Sequence, residues 1–211
     1  MSMLSDNDRE KIISRYSDRF KEYGIDLRTI NPGKWNKLEI QHNVHASIGD
    51  LNNKTILDIG CGLGHYYQFL LNNGLKVNYI GYDIVEDFIK ADKERFPDAV
   101  FERRDISRDE IVHKADYAVM CQVFNNKYEN NNNDEVVKNA IRKAFQAVSI
   151  GISLDLRTSY VNYTEDHLYY FSPEEYFAFA KTLTPFVMLR HDYLPFDFTL
   201  FLYKEGTFKW G

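Results

Sequence analysis

The stretch Thr55-Ile-Leu-Asp-Ile-Gly-Cys-Gly-Leu-Gly-His65 constrains the fold more than any other part of the chain. Apolar residues suited to a strand run into three glycines spaced two apart, Gly60, Gly62 and Gly64. Asp58 lies two positions ahead of the first glycine, Cys61 lies inside the loop, and a helix-forming segment starts at His65. A strand that turns through glycines into a helix is the opening unit of a parallel α/β sheet. Such glycines let the backbone turn sharply and approach a ligand closely, while the free N–H groups of the helix start favour an anionic group.

Two ligand classes use a turn of this kind, and spacing separates them. A dinucleotide fingerprint reads G-x-G-x-x-G, which counted from Gly60 would place its third glycine on His65. Here the glycine is at 64 and an acid stands at 58. Asp58 would repel a pyrophosphate, and it suits a ligand with an amino group and a positive centre, as in an amino-acid sulfonium. A second carboxylate, Asp83, closes the segment Asn78 to Asp83 nineteen residues after Gly64, where it can accept hydrogen bonds from both hydroxyls of a ribose.

Around this unit, short apolar runs alternate with amphipathic stretches. Thr55 to Ile59, Asn78 to Asp83, Ala99 to Glu102, Tyr117 to Cys121 and Ile150 to Leu156 are expected as parallel strands. Phe186 to Leu189 and Phe198 to Tyr203 are expected as an antiparallel hairpin. Helices are expected at His65 to Asn73, Glu86 to Arg95 and Asp134 to Val148, whereas Arg103 to Ala115 has no clear signal. Earlier in the chain, Ile12, Tyr16, Phe20 and Tyr23 recur at helical spacing up to Gly24, and a second helix is expected from about Lys34 to Ile48. The expected fold is therefore α/β: a Rossmann-like seven-stranded mixed sheet with helices on both faces and an antiparallel last strand, over residues 51–211. Residues 1–50 form an N-terminal helical extension or cap. The asparagines at 125, 126 and 130 to 133 follow the fourth strand and read as a solvated loop or as a lid.

Composition removes several classes. A chain of 211 residues, 44% hydrophobic and 27% charged, can bury a substantial core and is neither disordered nor a small disulfide scaffold. Its formal net charge of -5 argues against non-specific grip on a nucleic acid. Cys61 and Cys121 form no C-x-x-C pair and no Cys/His cluster in sequence, so no structural metal site is expected. The acidic segment Met1 to Ile13 does not read as a signal peptide, and no apolar run approaches membrane-spanning length. A cytoplasmic protein with no membrane or nucleic-acid partner is expected.

The run Asp58-Ile-Gly-Cys-Gly-Leu-Gly64, followed by Asp83 and Asp105, resembles the class I S-adenosylmethionine-dependent methyltransferases over most of the chain. That resemblance implies S-adenosylmethionine as cofactor, with its methionine part over Gly60, Gly62 and Gly64. Asp83 would hold the ribose, Asp105 the adenine amino group, and Ile84 and Ile106 would flank the adenine ring. It further implies that the backbone near Cys121 borders the cofactor. Trp35, Gln41 and the stretch Leu51 to Gly64 resemble small stand-alone bacterial members, in which the N-terminal helices fold over the cofactor and Gln41 contacts it.

Asn125-Asn-Lys-Tyr128 lacks the prolines of the N-P-P-Y type segment found in N-methylating enzymes that act on nucleic acid and protein, which weighs against amide methylation. The acceptor is therefore expected to be a small molecule or glycan-like metabolite. His167, in the polar and aromatic stretch after the fifth strand, is the candidate general base, because a free histidine titrates near working pH. Two readings compete: a nicotinamide-dependent oxidoreductase, disfavoured by the glycine spacing, and a non-catalytic module that binds an adenosyl cofactor.

Overall fold

The computed structural model describes residues 3–30 and 35–206. Three helices come first, α1 (Asp6–Tyr23), α2 (Leu27–Ile30) and α3 (Trp35–Ala46). The chain then alternates through β1 (Lys54–Ile59), α4 (His65–Asn72), β2 (Val77–Asp83), α5 (Glu86–Arg95), β3 (Val100–Arg103), β4 (Ala115–Met120), α6 (Asn133–Ala147), β5 (Val148–Arg157) and α7 (Pro173–Lys181), and closes with β6 (Val187–Leu194) and β7 (Asp197–Tyr203).

The seven strands form one sheet in the order β3-β2-β1-β4-β5-β7-β6. The first five run parallel, and β7 lies between β5 and β6, antiparallel to both. This is the mixed Rossmann-like sheet expected from the sequence. The chain builds outward from β1 through β2 to β3 and then returns to the other side of β1 with β4. The order thus reverses between β1 and β4, and open α/β sheets bind ligands beyond the carboxyl ends of the strands at such a point.

Side chains alternate across the sheet, so each strand feeds two cores. Ala118 and Met120 of β4 join Leu57, Leu154 and Leu200 beneath α6 and α7. Tyr117 and Val119 join Ile56, Tyr79 and Phe201 beneath α3, α4 and α5. α6 fits its place because Val136, Val137, Ala140, Ile141 and Ala144 fall on one stripe and are all buried.

α1 runs across the carboxyl ends of the strands. One end is gripped by α5, where the rings of Tyr16 and Phe20 meet Phe88 edge-on at centroid distances of 6.1 and 5.8 Å. At the other end Ile12 packs with Leu4, Tyr128 and Val136 at the start of α6. Polar ties reinforce the crossing: Arg9 Nε donates to Asp105 Oδ2 at 3.1 Å, and Lys11 pairs with Glu129. The Ser5 hydroxyl caps the helix by accepting the Asp8 N–H, and Gly24, at φ 61°, ends it.

Two helices went unexpected from sequence. α2 is a single turn, but α7 carried its own signature: Ser172 accepts the Glu175 N–H at 3.2 Å and Pro173 occupies the first turn. The long connection from Arg103 to β4 forms no helix. Lys34, the expected start of α3, lies outside the described residues, as does the side chain of Trp35. The asparagine loop is neither freely solvated nor detached: Asn133 is fully buried, its Nδ2 donates to the Asn126 carbonyl at 2.7 Å, and its Oδ1 accepts the Tyr128 N–H. Among the described residues no helix is long and apolar enough to cross a membrane.

Candidate active site

A cavity of about 400 Å³ opens above the carboxyl ends of β1, β2 and β4, beneath α1. That volume is in the range of small-molecule sites. Its floor is the glycine turn. Gly60, Gly62 and Gly64 all hold positive φ, and a Cβ on Gly60 would sit 2.6 Å from Val123 Cγ2, so the turn admits no side chain there. Gly60 and Gly62 reach the cavity wall with Cys61, whereas Gly64 backs onto Phe96 and Asp92.

Three carboxylates line the acidic half. Asp58, at the end of β1, is 2% exposed and takes a hydrogen bond from Tyr79 Oη on Oδ2, leaving Oδ1 free. Burial pushes its carboxyl up to about 7, against the smaller opposing effect of that bond. Asp83, at the end of β2, accepts the Gly62 N–H on Oδ2 at 2.9 Å and the Val85 N–H on Oδ1 at 2.8 Å. Burial raises it to about 6, and the backbone N–H groups restrain the rise. Each Asp83 oxygen keeps one unused lone pair. Asp105 is more heavily engaged, with Oδ1 accepting from both the backbone N–H and the hydroxyl of Ser107, and Oδ2 facing Arg9. Ile84 and Ile106 stand on the walls between these acids.

On the other side of β1, the end of β4 is held in an unusual shape. Gln122 has φ 59°, a left-handed conformation costly for a non-glycine residue. Asp155 of β5 fastens it, accepting the Gln122 backbone N–H on Oδ1 and its Nε2 on Oδ2, both at 2.6 Å. Burial alone would raise the Asp155 carboxyl, but His45 and Gln122 outweigh it and hold it below the ordinary range. Cys121, next to Gln122, reaches the cavity wall with its thiol pushed up by burial.

The expectation of no Cys/His cluster needs correction, because the fold gathers His45, Cys121 and Asp155 with ligand atoms within 4.8 Å of one another. They come from α3, β5 and the turn after β4, so no sequence spacing announces them. Gln41, expected to contact the cofactor, sits apart from the cavity lining. Gln41 is buried, turns its Nε2 toward Asp197 Oδ2 at 3.5 Å and is not on the cavity wall. Leu38 and His42 of the same helix face the cavity instead.

His167 lies at the cavity rim, about half exposed, with Nε2 3.6 Å from Glu165 Oε2. Its backbone carbonyl accepts the Lys127 N–H at 2.9 Å, and the neighbouring Leu168 bridges to Asn126. These contacts tie its segment to the asparagine loop. Sequence reading missed Arg15, Tyr16 and Arg19 of α1, Tyr66 of α4, and Arg157 at the end of β5, all of which line the cavity. The Tyr66 hydroxyl is buried with no hydrogen-bond partner.

The chain matches the methyltransferase-domain family over residues 57–150. A Mycobacterium tuberculosis protein named as a methyltransferase, Rv1506c, is 29% identical over 160 residues, covering 72% of this chain and 94% of its own length. Among solved structures, a DhpI–SAH complex superimposes with a TM-score of 0.70 at 14% identity, over 97% of this chain and 100% of that one. Magnesium protoporphyrin IX methyltransferase from Synechocystis PCC 6803, with bound SAH, gives 0.64 at 13% identity, over 93% and 98% of the two chains.

Proposed function

We propose that this chain, which carries a methyltransferase-domain match and the fold of S-adenosylhomocysteine-bound methyltransferases, is a class I S-adenosylmethionine-dependent methyltransferase that transfers the cofactor's methyl group to a small-molecule or glycan-like acceptor. One observation carries the reading: the glycine turn, Asp58 and Asp83 converge on one cavity, each with hydrogen-bonding capacity left for a ligand.

The residues fit the cofactor part by part. The spare lone pairs of Asp83 suit two ribose hydroxyls, Ile84 and Ile106 bracket a planar ring, and the remaining face of Asp105 Oδ2 suits an adenine amino group. Gly60, Cys61 and Gly62 provide the close backbone approach beneath the methionine part, and Gly64 completes the turn behind them. The free Asp58 oxygen offers an acceptor for an ammonium group, and the unpartnered Tyr66 hydroxyl offers a donor for a carboxylate. The backbone at Cys121 and Gln122 borders the same ligand, and Gln41 lies outside the set.

When bound, S-adenosylmethionine supplies an electrophilic methyl group on a sulfonium. The protein's part is alignment and exclusion of water, since the acceptor atom must reach that carbon in line with the bond that breaks. α1 closes the cavity from above, and Asp155 fixes the turn at Gln122 below. For a hydroxyl acceptor, the new bond to carbon forms as the carbon–sulfur bond breaks, and the acceptor proton leaves to a base. His167, at the rim beside Glu165, is placed to receive it.

Calorimetric titration with S-adenosylmethionine, S-adenosylhomocysteine, NAD and NADP tests the cofactor; tighter binding of a nicotinamide would overturn the reading. Labelled methyl transfer to a metabolite extract and to bulk RNA and DNA then tests the acceptor. Faster labelling of nucleic acid would reject a small-molecule acceptor, and no transfer to any acceptor would leave a cofactor-binding module.

A further inference from the structure

The eleven arginines of the chain fall into sharply different settings. Seven of them, at 9, 28, 95, 103, 104, 108 and 190, stand within 4.0 Å of a carboxylate. Arg142 lies over the Phe179 ring, 4.8 Å from its centroid. The remaining three, Arg15, Arg19 and Arg157, have no carboxylate partner among the described residues, and all three line the same cavity. A guanidinium keeps its charge at any working pH and is usually matched by an anion, so three unmatched ones around one cavity mark it for anionic ligands.

Their positions divide them. Arg15 and Arg19 sit four residues apart on α1, on either side of Tyr16, whose hydroxyl lies within the field of Asp83. They therefore overhang the acidic half. The cofactor contributes a single carboxylate, for which these two and Tyr66 suffice. Arg157 belongs to a different wall. It ends β5, in register with Asp197, and shares the cavity with Gln122, Asn125, His167 and Leu168. Its Nε is buried without a hydrogen-bond partner. The nearby Asp197 feels the Arg157 charge but makes no hydrogen bond or ion pair within 4.0 Å with it, being paired with Lys37 Nζ at 3.1 Å. Beside the candidate base there is thus a forked cation that no carboxylate among the described residues meets within 4.0 Å.

We infer that the methyl acceptor is an anion, a carboxylate or a phosphate-type group, held by Arg157 while its nucleophilic atom faces the methyl group. This deepens the methyltransferase reading and rests on it. Binding the charge at Arg157 fixes the acceptor's orientation, since a guanidinium fork meets carboxylate or phosphate oxygens in two parallel hydrogen bonds. The net charge of -5 makes the contrast sharper, because the cationic wall stands on an otherwise acidic molecule.

The test uses the full-length protein loaded with S-adenosylhomocysteine and four probes: benzoate, phenylphosphonate, inorganic phosphate and neutral benzamide. Ligand-observed NMR reads binding at millimolar concentration. At least one anion is expected to bind while benzamide does not, and the anion that binds distinguishes a planar from a tetrahedral group. Arg157→Gln should weaken that binding about tenfold or more, Arg157→Lys less, and Arg142→Gln not at all, with S-adenosylhomocysteine affinity unchanged in each. If no anion binds, if benzamide binds equally well, or if Arg157→Gln leaves anion binding intact, the inference is wrong. Failure of S-adenosylhomocysteine to bind the wild type is a separate result that removes the methyltransferase reading, and the anion titration on the unloaded protein still decides whether Arg157 holds an anion.

Discussion

Asp58 spends neutral pH near its own titration midpoint. Its carboxyl is raised to about 7 in the fold from an ordinary 3.8, so the folded chain prefers it protonated. Its contribution to stability is complete below 3.8 and is lost as pH rises through 7. The ligand-free melting temperature should therefore carry a component that falls across that window, and Asp58→Asn should remove it. Asp83, raised to about 6, retains the same trend over a lower range. A bound ammonium reverses the preference and expels the proton. Cofactor affinity should then rise from pH 5.5 to 7 and level off above, with proton release detectable by calorimetry in buffers of different ionisation enthalpy. Affinity that is flat across this range in the wild type would remove Asp58 from the site.

Asp83 and His167 make separable contributions at the same scale. Asp83→Ala should weaken cofactor binding by about 1.5 to 3 kcal/mol, the value of hydrogen bonds to a charged group, which is a tenfold to hundredfold rise in dissociation constant. His167→Ala should leave that constant unchanged and lower turnover by about 10²- to 10⁴-fold on a hydroxyl acceptor. Turnover within threefold of wild type would make His167 a structural residue.

Among the elements, α1 does most to turn an open sheet edge into an enclosed site. Its grip on α5 depends on Phe88, which is 2% exposed and meets two aromatic rings of α1. Phe88→Ala should cost about 3 to 5 kcal/mol in urea unfolding and speed cofactor release. Hydrogen exchange should quicken in α1 more than in β1 or β4, because the sheet loses no contact. The sequence foretold this helix through its apolar stripe, and foretold the strand-turn-helix unit through glycine spacing, because both are local patterns. It could not foretell which edge of α1 would overhang a cavity, so nothing local singled out Arg15 and Arg19. In α3 the difference is one residue, about 100° of rotation, which gives His42 to the cavity and Gln41 to Asp197. Arg157 carried no local sign either: its significance lies in lacking a close ion pair among the described residues, which only the assembled fold can reveal. α7 was legible through Ser172, Pro173 and Glu175 and was overlooked.

At the scale of the whole molecule, the two halves of the sheet divide the work. The parallel strands bring the acids and the glycine turn to one edge, and β5, flanked by the antiparallel β7, brings Arg157 to the same cavity. The outer strands are guarded differently. β3 is only four residues long, and β6 carries the charged pair Arg190 and Asp192. Both are ways of discouraging another chain from adding a strand.

The strap formed by α1 also has a history on the ribosome. Tyr16 and Phe20 must wait for Phe88, and Ile12 for Tyr128 and Val136, all of which lie far downstream. At about 5 to 20 residues per second, α1 passes on the order of ten seconds with its apolar stripe uncovered. It is therefore the part of the nascent chain that a holdase chaperone should engage, and the last to settle. Stalled chains ending before residue 136 should be clipped within residues 6–23 by a protease that spares the same segment in released protein, and protection that arises before the sheet is complete would show that α1 docks early.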